Sequence, residues 1–140
     1  MTHQKAIFVP GHGVPEAVRS VRFVPRKAPA GGPNVFPDRP SATAPPPVVE
    51  IWPGDLYGEP GDRMLTSFST SERTETAFPE DGMPVVPPGK SLVAVIREPP
   101  AGWEVEFYST FTDRGGKTVP RTVTIDNYGT AHESLDVRNV

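Results

Sequence analysis

Cysteine is absent from the 140 residues, which excludes disulfides and thiolate metal sites. Helical pattern is missing too. No window of about eleven residues places apolar side chains at helical spacing, and Pro15–Arg19 would make one turn at most. No apolar run approaches the ~20 residues of a membrane span. The N-terminus, MTHQKAIFVPGHG, carries one lysine and a short apolar stretch, a poor secretory signal, so the expectation is a soluble protein made in a cytoplasm. Amides are scarce (Gln4, Asn34, Asn127 and Asn139), and imidazoles are limited to His3, His12 and His132.

Proline is what the chain has in excess. Of its 19 prolines, those at positions 10, 15, 25, 29, 33, 37, 40, 45, 46, 47, 53 and 60 crowd the first sixty residues. Each fixes φ and removes a backbone donor, so this stretch reads as an extended arm that either stays disordered or lies along another surface. Charge divides at the same place. Residues 1–47 hold Lys5, Arg19, Arg22, Arg26, Lys27 and Arg39 against Glu16 and Asp38, a net +4, and the remainder carries −7, together the chain's −3. A basic arm on an acidic body points to an acidic partner, which includes a second copy of the chain. The domain reading is therefore an arm and linker over 1–47 and an all-β domain over 48–140.

Within the arm, Lys5–Val9 and Arg19–Val24 are short β-like runs closed by Pro10 and Pro25, the second alternating imperfectly. Both suit addition to a sheet edge of this or a neighbouring subunit. Residues 26–47 have the composition of a semi-rigid polyproline spacer. Val48–Trp52 starts a new strand. Met64, Thr66, Phe68 and Thr70 share one parity, and a polar strand follows near Arg73–Phe78. Ser91–Ile96 is apolar on both faces, the mark of an interior strand or of one covered by a partner. Trp103, Val105, Phe107 and Phe111 fall on one face, with Glu104, Glu106, Tyr108 and Thr110 on the other. Asp113–Gly116 supplies a hairpin loop, Val119, Val123 and Ile125 the next inward row, and Glu133–Val137 a final strand. The prediction is all-β, about seven short strands. The body is a compact antiparallel β-sandwich, a jelly roll or a small barrel, with the proline-rich N-terminal arm extended from it.

Chemistry-bearing motifs fail on spacing. Pro87–Ser91 contains Gly-Lys-Ser, but the glycine a phosphate loop needs earlier is Pro84, and the segment leads into a strand, so it reads as a tight turn. Glu104 and Glu106 sit two apart on one strand face, a spacing of paired carboxylates that alternation already explains. His12 lies between Gly11 and Gly13 as an exposed loop histidine, and no metal-ligand spacing or nucleophile elbow occurs. Pro37–Pro40 fits PxxP but is ordinary spacer composition. The expectation is no enzyme, no cofactor, no metal, no nucleic-acid partner and no membrane. Residues assigned to partner binding are Ile7, Phe8, Val9, Arg19, Arg22, Phe23, Arg26, Lys27 and Phe36.

With the arm KAIFVPGHGVPEAVRSVRFVPRKAPAGG and the body strand introduced by VPPGKSLVAVI, the chain resembles, in overall plan, the small capsid decoration (cement) proteins of tailed bacteriophages. That resemblance implies a structural protein of a virion, trimers at local symmetry axes of the shell, and arms that brace the major capsid protein. The alternative reading is a β-sandwich that binds carbohydrate or a receptor, for example in association with a phage fibre. Its stacking candidates are Trp52, Trp103, Tyr57, Tyr108 and Tyr128; Trp103 faces the core by parity and Tyr108 faces outward. Rows of outward threonine and serine, among them Thr118, Thr122 and Thr124, suit edge strands, a lattice contact or a glycan-facing surface.

Overall fold

The period-two pattern of residues 103–112 becomes the central strand of a sheet. In the computed structural model, which describes residues 3–26 and 46–135, Trp103, Val105, Phe107, Ser109 and Phe111 point inward and are buried, and the residues between them face out. Ten strands are present among the described residues: β1 (His3–Phe8), β2 (Glu16–Pro25), β3 (Val48–Asp55), β4 (Thr66–Ser69), β5 (Glu75–Ala77), β6 (Val85–Val86), β7 (Lys90–Arg97), β8 (Trp103–Thr112), β9 (Thr118–Asp126) and β10 (Ala131–Leu135). One 3-10 turn, Glu80–Gly82, interrupts them. All pairings are antiparallel. The first sheet has the order β1-β7-β3-β4 and the second β10-β9-β8-β2-β5, with β6 also on β2. The two inner faces pack as a sandwich, the first of the three architectures that the sequence leaves open. Phe8 of the first sheet meets Phe107 of the second with ring centroids 5.4 Å apart. The Trp103 indole N–H donates to the Gln4 side-chain oxygen from across the core.

The division at residue 47 does not hold. β2 lies in the interior of the second sheet, paired with β8 on one side and with β5 and β6 on the other, and β1 borders β7. Phe8 and Phe23, assigned to a partner, are buried in the chain's own core, and Ile7 is half-buried against the backbone of Gly58. Val9 is exposed, but its carbonyl accepts from Arg121 at 2.9 Å. Lys27 and Phe36 lie outside the described residues, as does all of the spacer from 27 to 45. The physical reason is positional. Pro10, Pro15 and Pro25 stand between strands or at a strand's last residue, where no ladder hydrogen bond is lost, so they delimit β1 and β2 without preventing them.

The imperfect alternation of residues 19–24 is a β-bulge. The β2–β8 register shifts between Val18 and Ser20, so Val18, Val21 and Phe23 all point inward with an extra residue between them. The doubly apolar β7 is covered by its own chain. On its outer side Val93 stands between Ile7 and Trp52, and the loop after β3 folds back over this row. Gly58, at φ +78°, abuts Ile7 so closely that a Cβ would overlap it, and its carbonyl accepts from the Lys5 ammonium at 3.3 Å. The Pro87–Lys90 turn before β7 is as read, closed by Lys90 N–H to the Pro87 carbonyl at 3.1 Å. The last strand lies over Ala131–Leu135; residues 136 and 137 of its expected span lie outside the described residues.

Register fixes which connections share an end of the sandwich. Pro25 pairs with Trp103, Val48 with Arg97, and Glu104 with Asp126. The chain therefore leaves the second sheet at Arg26 and re-enters the first at Val48 beside the β7–β8 and β9–β10 turns. The proline-rich segment is anchored at both ends and is not a free N-terminal arm.

Candidate functional site

The outer face of the second sheet carries most of the chemistry. Glu104, Glu106, Tyr108 and Thr110 of β8 stand beside Arg22 and Ser20 of β2 and Thr122 and Thr124 of β9. The Arg26 guanidinium lies 2.6 Å from Glu104, and Arg22 lies 3.8 Å from Glu106. Each carboxylate of the pair singled out in sequence is thus matched by an arginine of the predicted basic set. Tyr108 donates its hydroxyl to Glu106 at 2.6 Å. Burial raises the Tyr108 pKa, and the hydrogen bond and charge of Glu106 push it further, against a smaller opposing effect of Arg22. The phenol is held as a proton donor with its ring fixed on the sheet.

At the other end of this face lies an open trough of about 770 Å³, bordered by Arg19, Ser20, Glu75, Phe78, Tyr108 and Thr110. The bulge builds it. Because the extra residue of β2 falls between Val18 and Val21, Arg19 and Ser20 both face outward. The Arg19 carbonyl accepts from Phe78 N–H and the Pro84 carbonyl from Val18 N–H, both at 2.9 Å, which hooks residues 78–84 onto the bulge as a raised wall.

A second constellation is buried. Glu16 is 0% and Arg121 4% exposed, an unusual place for either charge. Glu16 accepts from Arg121 Nε and Ser109 Oγ, each at 2.9 Å, and from Gly11 N–H at 3.3 Å. Arg121 continues to Glu133 at 3.1 Å and lies 5.0 Å over the Phe8 ring. His12 ends the row, 2.7 Å from Glu133 and stacked on Phe111 with centroids 4.6 Å apart. His12 is an exposed loop histidine, as expected, and the structure adds its bond to Glu133 and its stacking on Phe111. The row runs across β2, β8, β9 and β10 and pins the β1–β2 connection that crosses between the sheets. The inward parity of Val119, Val123 and Ile125 also takes in Arg121, a signal present in the sequence.

Burial alone would raise the Glu133 pKa, but the His12 hydrogen bond and the charges of Arg121 and His12 together lower it. A carboxylate with a depressed folded pKa contributes stability above its ordinary range and loses it as pH falls through the folded value. The expected result is that Glu133→Gln lowers the urea midpoint near pH 7 and that the difference vanishes as pH falls below the ordinary carboxylate range. With the Glu133 side chain 37% exposed the effect is small, because solvent screens the pair.

Of the other sequence candidates, Trp103 is buried and Trp52 donates to Glu50 at 3.1 Å on the outer face of the first sheet. Tyr57 and Tyr128 project at the tips of separate loops, 88% and 86% exposed. Among the described residues no group of three or more His, Asp or Glu side chains is placed to hold a metal ion. The fold and its outer face define a two-sheet antiparallel β-sandwich with a mixed acid–base surface. No family model, curated protein or solved structure matches the chain.

Proposed function

We propose that this protein is a non-enzymatic structural protein of a virion, a capsid decoration protein that binds the major capsid protein and further copies of itself. What supports the reading is the mounting of the proline-rich segment. At its start, Arg26 N–H donates to the Gly102 carbonyl at 2.9 Å while the Arg26 guanidinium holds Glu104. The segment then returns to β3 at the same end, where Tyr128 also projects. A chain tied at both ends and rich in proline has few conformations to lose, so docking it on a partner costs less ordering entropy. Lys27 and Arg39 against Asp38 make it basic, a match to an acidic capsid surface or to the acidic body of another copy. Contacts repeated in a closed ring replace single-site affinity with avidity. Because β1 and β2 serve the core, the bracing role passes from the runs Lys5–Val9 and Arg19–Val24 to residues 26–47, which include Lys27 and Phe36.

Light scattering on a sizing column tests this with the full chain and with a variant in which residues 27–45 are replaced by a glycine-serine linker. The full chain is expected to be a closed homo-oligomer, a trimer in the first instance. The variant is expected to be a monomer that keeps the thermal transition of the parent. A monomeric full chain, or a variant that still assembles, overturns the proposal.

A further inference from the structure

We propose that the trough on the second sheet is a binding site for a neutral oligosaccharide chain. The proposal goes beyond the decoration role and stands whether or not the protein coats a shell. A trough of about 770 Å³ lies within the ~300–1,000 Å³ of ordinary ligand sites. It is open along the sheet, which suits a chain of sugar units more than one enclosed ring.

Its chemistry selects the ligand class. The floor presents hydroxyl groups, Ser20 and Thr110 beside the Tyr108 ring, and each hydroxyl both donates and accepts. The rim adds a donor-only guanidinium, Arg19, and the acceptor-only carboxylates Glu75 and Glu80. The wall adds the apolar Phe78 and Met83. A pyranose matches this mixture, with hydroxyls around its edge and C–H groups on its faces. An anionic ligand such as nucleic acid meets two carboxylates against one arginine. An apolar peptide would bury the hydroxyl-bearing floor without partners, which is costly.

Two further observations mark the trough as built. The bulge in β2 re-aims Arg19 into it, and among the described residues Arg19 makes no ion pair, whereas Arg22 of the same strand and Arg26 just after it do. The Tyr108 ring is fixed by its bond to Glu106 before any ligand arrives. The pre-set ring reduces the ordering cost of binding, and the unpaired Arg19 guanidinium can bond a ligand without first breaking an ion pair.

The test presents the full-length protein to an array of neutral and anionic oligosaccharides, then titrates the best neutral ligand by calorimetry. Saturable binding to a neutral chain is expected. Arg19→Ala and Glu75→Gln are each expected to weaken it by about tenfold, the loss of one hydrogen bond to a charged group. Both side chains are exposed, so neither change threatens the fold. Tyr128→Ala and Tyr57→Ala, at loop tips away from the trough, are expected to leave affinity unchanged. No neutral saccharide bound, binding confined to anionic glycans, or binding insensitive to Arg19→Ala and Glu75→Gln overturns the proposal. So does binding abolished by either loop-tip tyrosine variant.

Discussion

Removal of residues 1–25 is expected to abolish the fold, leaving a chain with no cooperative thermal transition by circular dichroism. The deleted stretch contains β1 and β2, and with them the buried side chains of Phe8, Val18, Val21 and Phe23. At ~1.5–3 kcal/mol for each large apolar side chain taken out of water, these four carry about 6–12 kcal/mol, comparable with the whole ~5–15 kcal/mol of a domain's stability. Backbone pairing is lost as well. β8 is left without its neighbour on one side, β5 and β6 lose the strand that holds them, and β7 becomes an edge. Arg121 is also left in the core without the Glu16 carboxylate. Phe23→Ala is the graded form of the same experiment, with an expected cost of about 3–5 kcal/mol in urea unfolding. A truncated chain that still melts cooperatively would restore residues 1–47 as an appendage and remove β2 from the core. The linker replacement of residues 27–45 is the contrast, since no described strand is touched.

The comparison of the two changes locates what could be read in the sequence. β8 was legible because Trp103, Val105, Phe107 and Phe111 keep strict period two over a whole strand. β7 was legible as a strand buried on both sides, but which atoms covered it depended on the return of the loop around Gly58, a contact across the sheet. β2 was misassigned because its bulge breaks the alternation that identifies a half-buried strand, and because flanking prolines resemble those of a spacer. The hairpin loop at Asp113 was read from its two glycines, yet the same loop recurs at Asp55 and Asp126. In all three the aspartate side chain accepts from backbone N–H groups two and four residues on, and the residue three on is a glycine with positive φ. The trough was only half legible. Tyr108 and Thr110 follow from parity, but the wall at residues 78–84 exists through hydrogen bonds to Arg19 and Val18, some sixty residues earlier, that no local pattern encodes.

Arg121→Met is expected to destabilise the protein by about 3–5 kcal/mol, because it leaves the Glu16 carboxylate buried without its counter-charge. Glu16 would retain the Ser109 hydroxyl and Gly11 N–H as donors, and neither carries charge. The change also frees the Val9 carbonyl and releases Glu133, so amides in the β1–β2 connection are expected to exchange faster than those of β8. The double variant Glu16→Leu with Arg121→Met separates pairing from burial. Two apolar side chains of similar volume remove both desolvation costs, and buried pairs replaced in this way often come out neutral. The double variant is therefore expected to be more stable than Arg121→Met alone, a coupling that a double-mutant cycle in urea reads directly. It will not restore the connection between the sheets, since Gly11 N–H and the Val9 carbonyl stay without partners and His12 keeps only Glu133 and the Phe111 ring. Recovered stability with an unprotected β1–β2 connection would assign the row to holding one path of the chain between the sheets. An Arg121→Met variant within about 1 kcal/mol of the parent would instead mean that water reaches Glu16, and the row would then contribute no more than a surface ion pair.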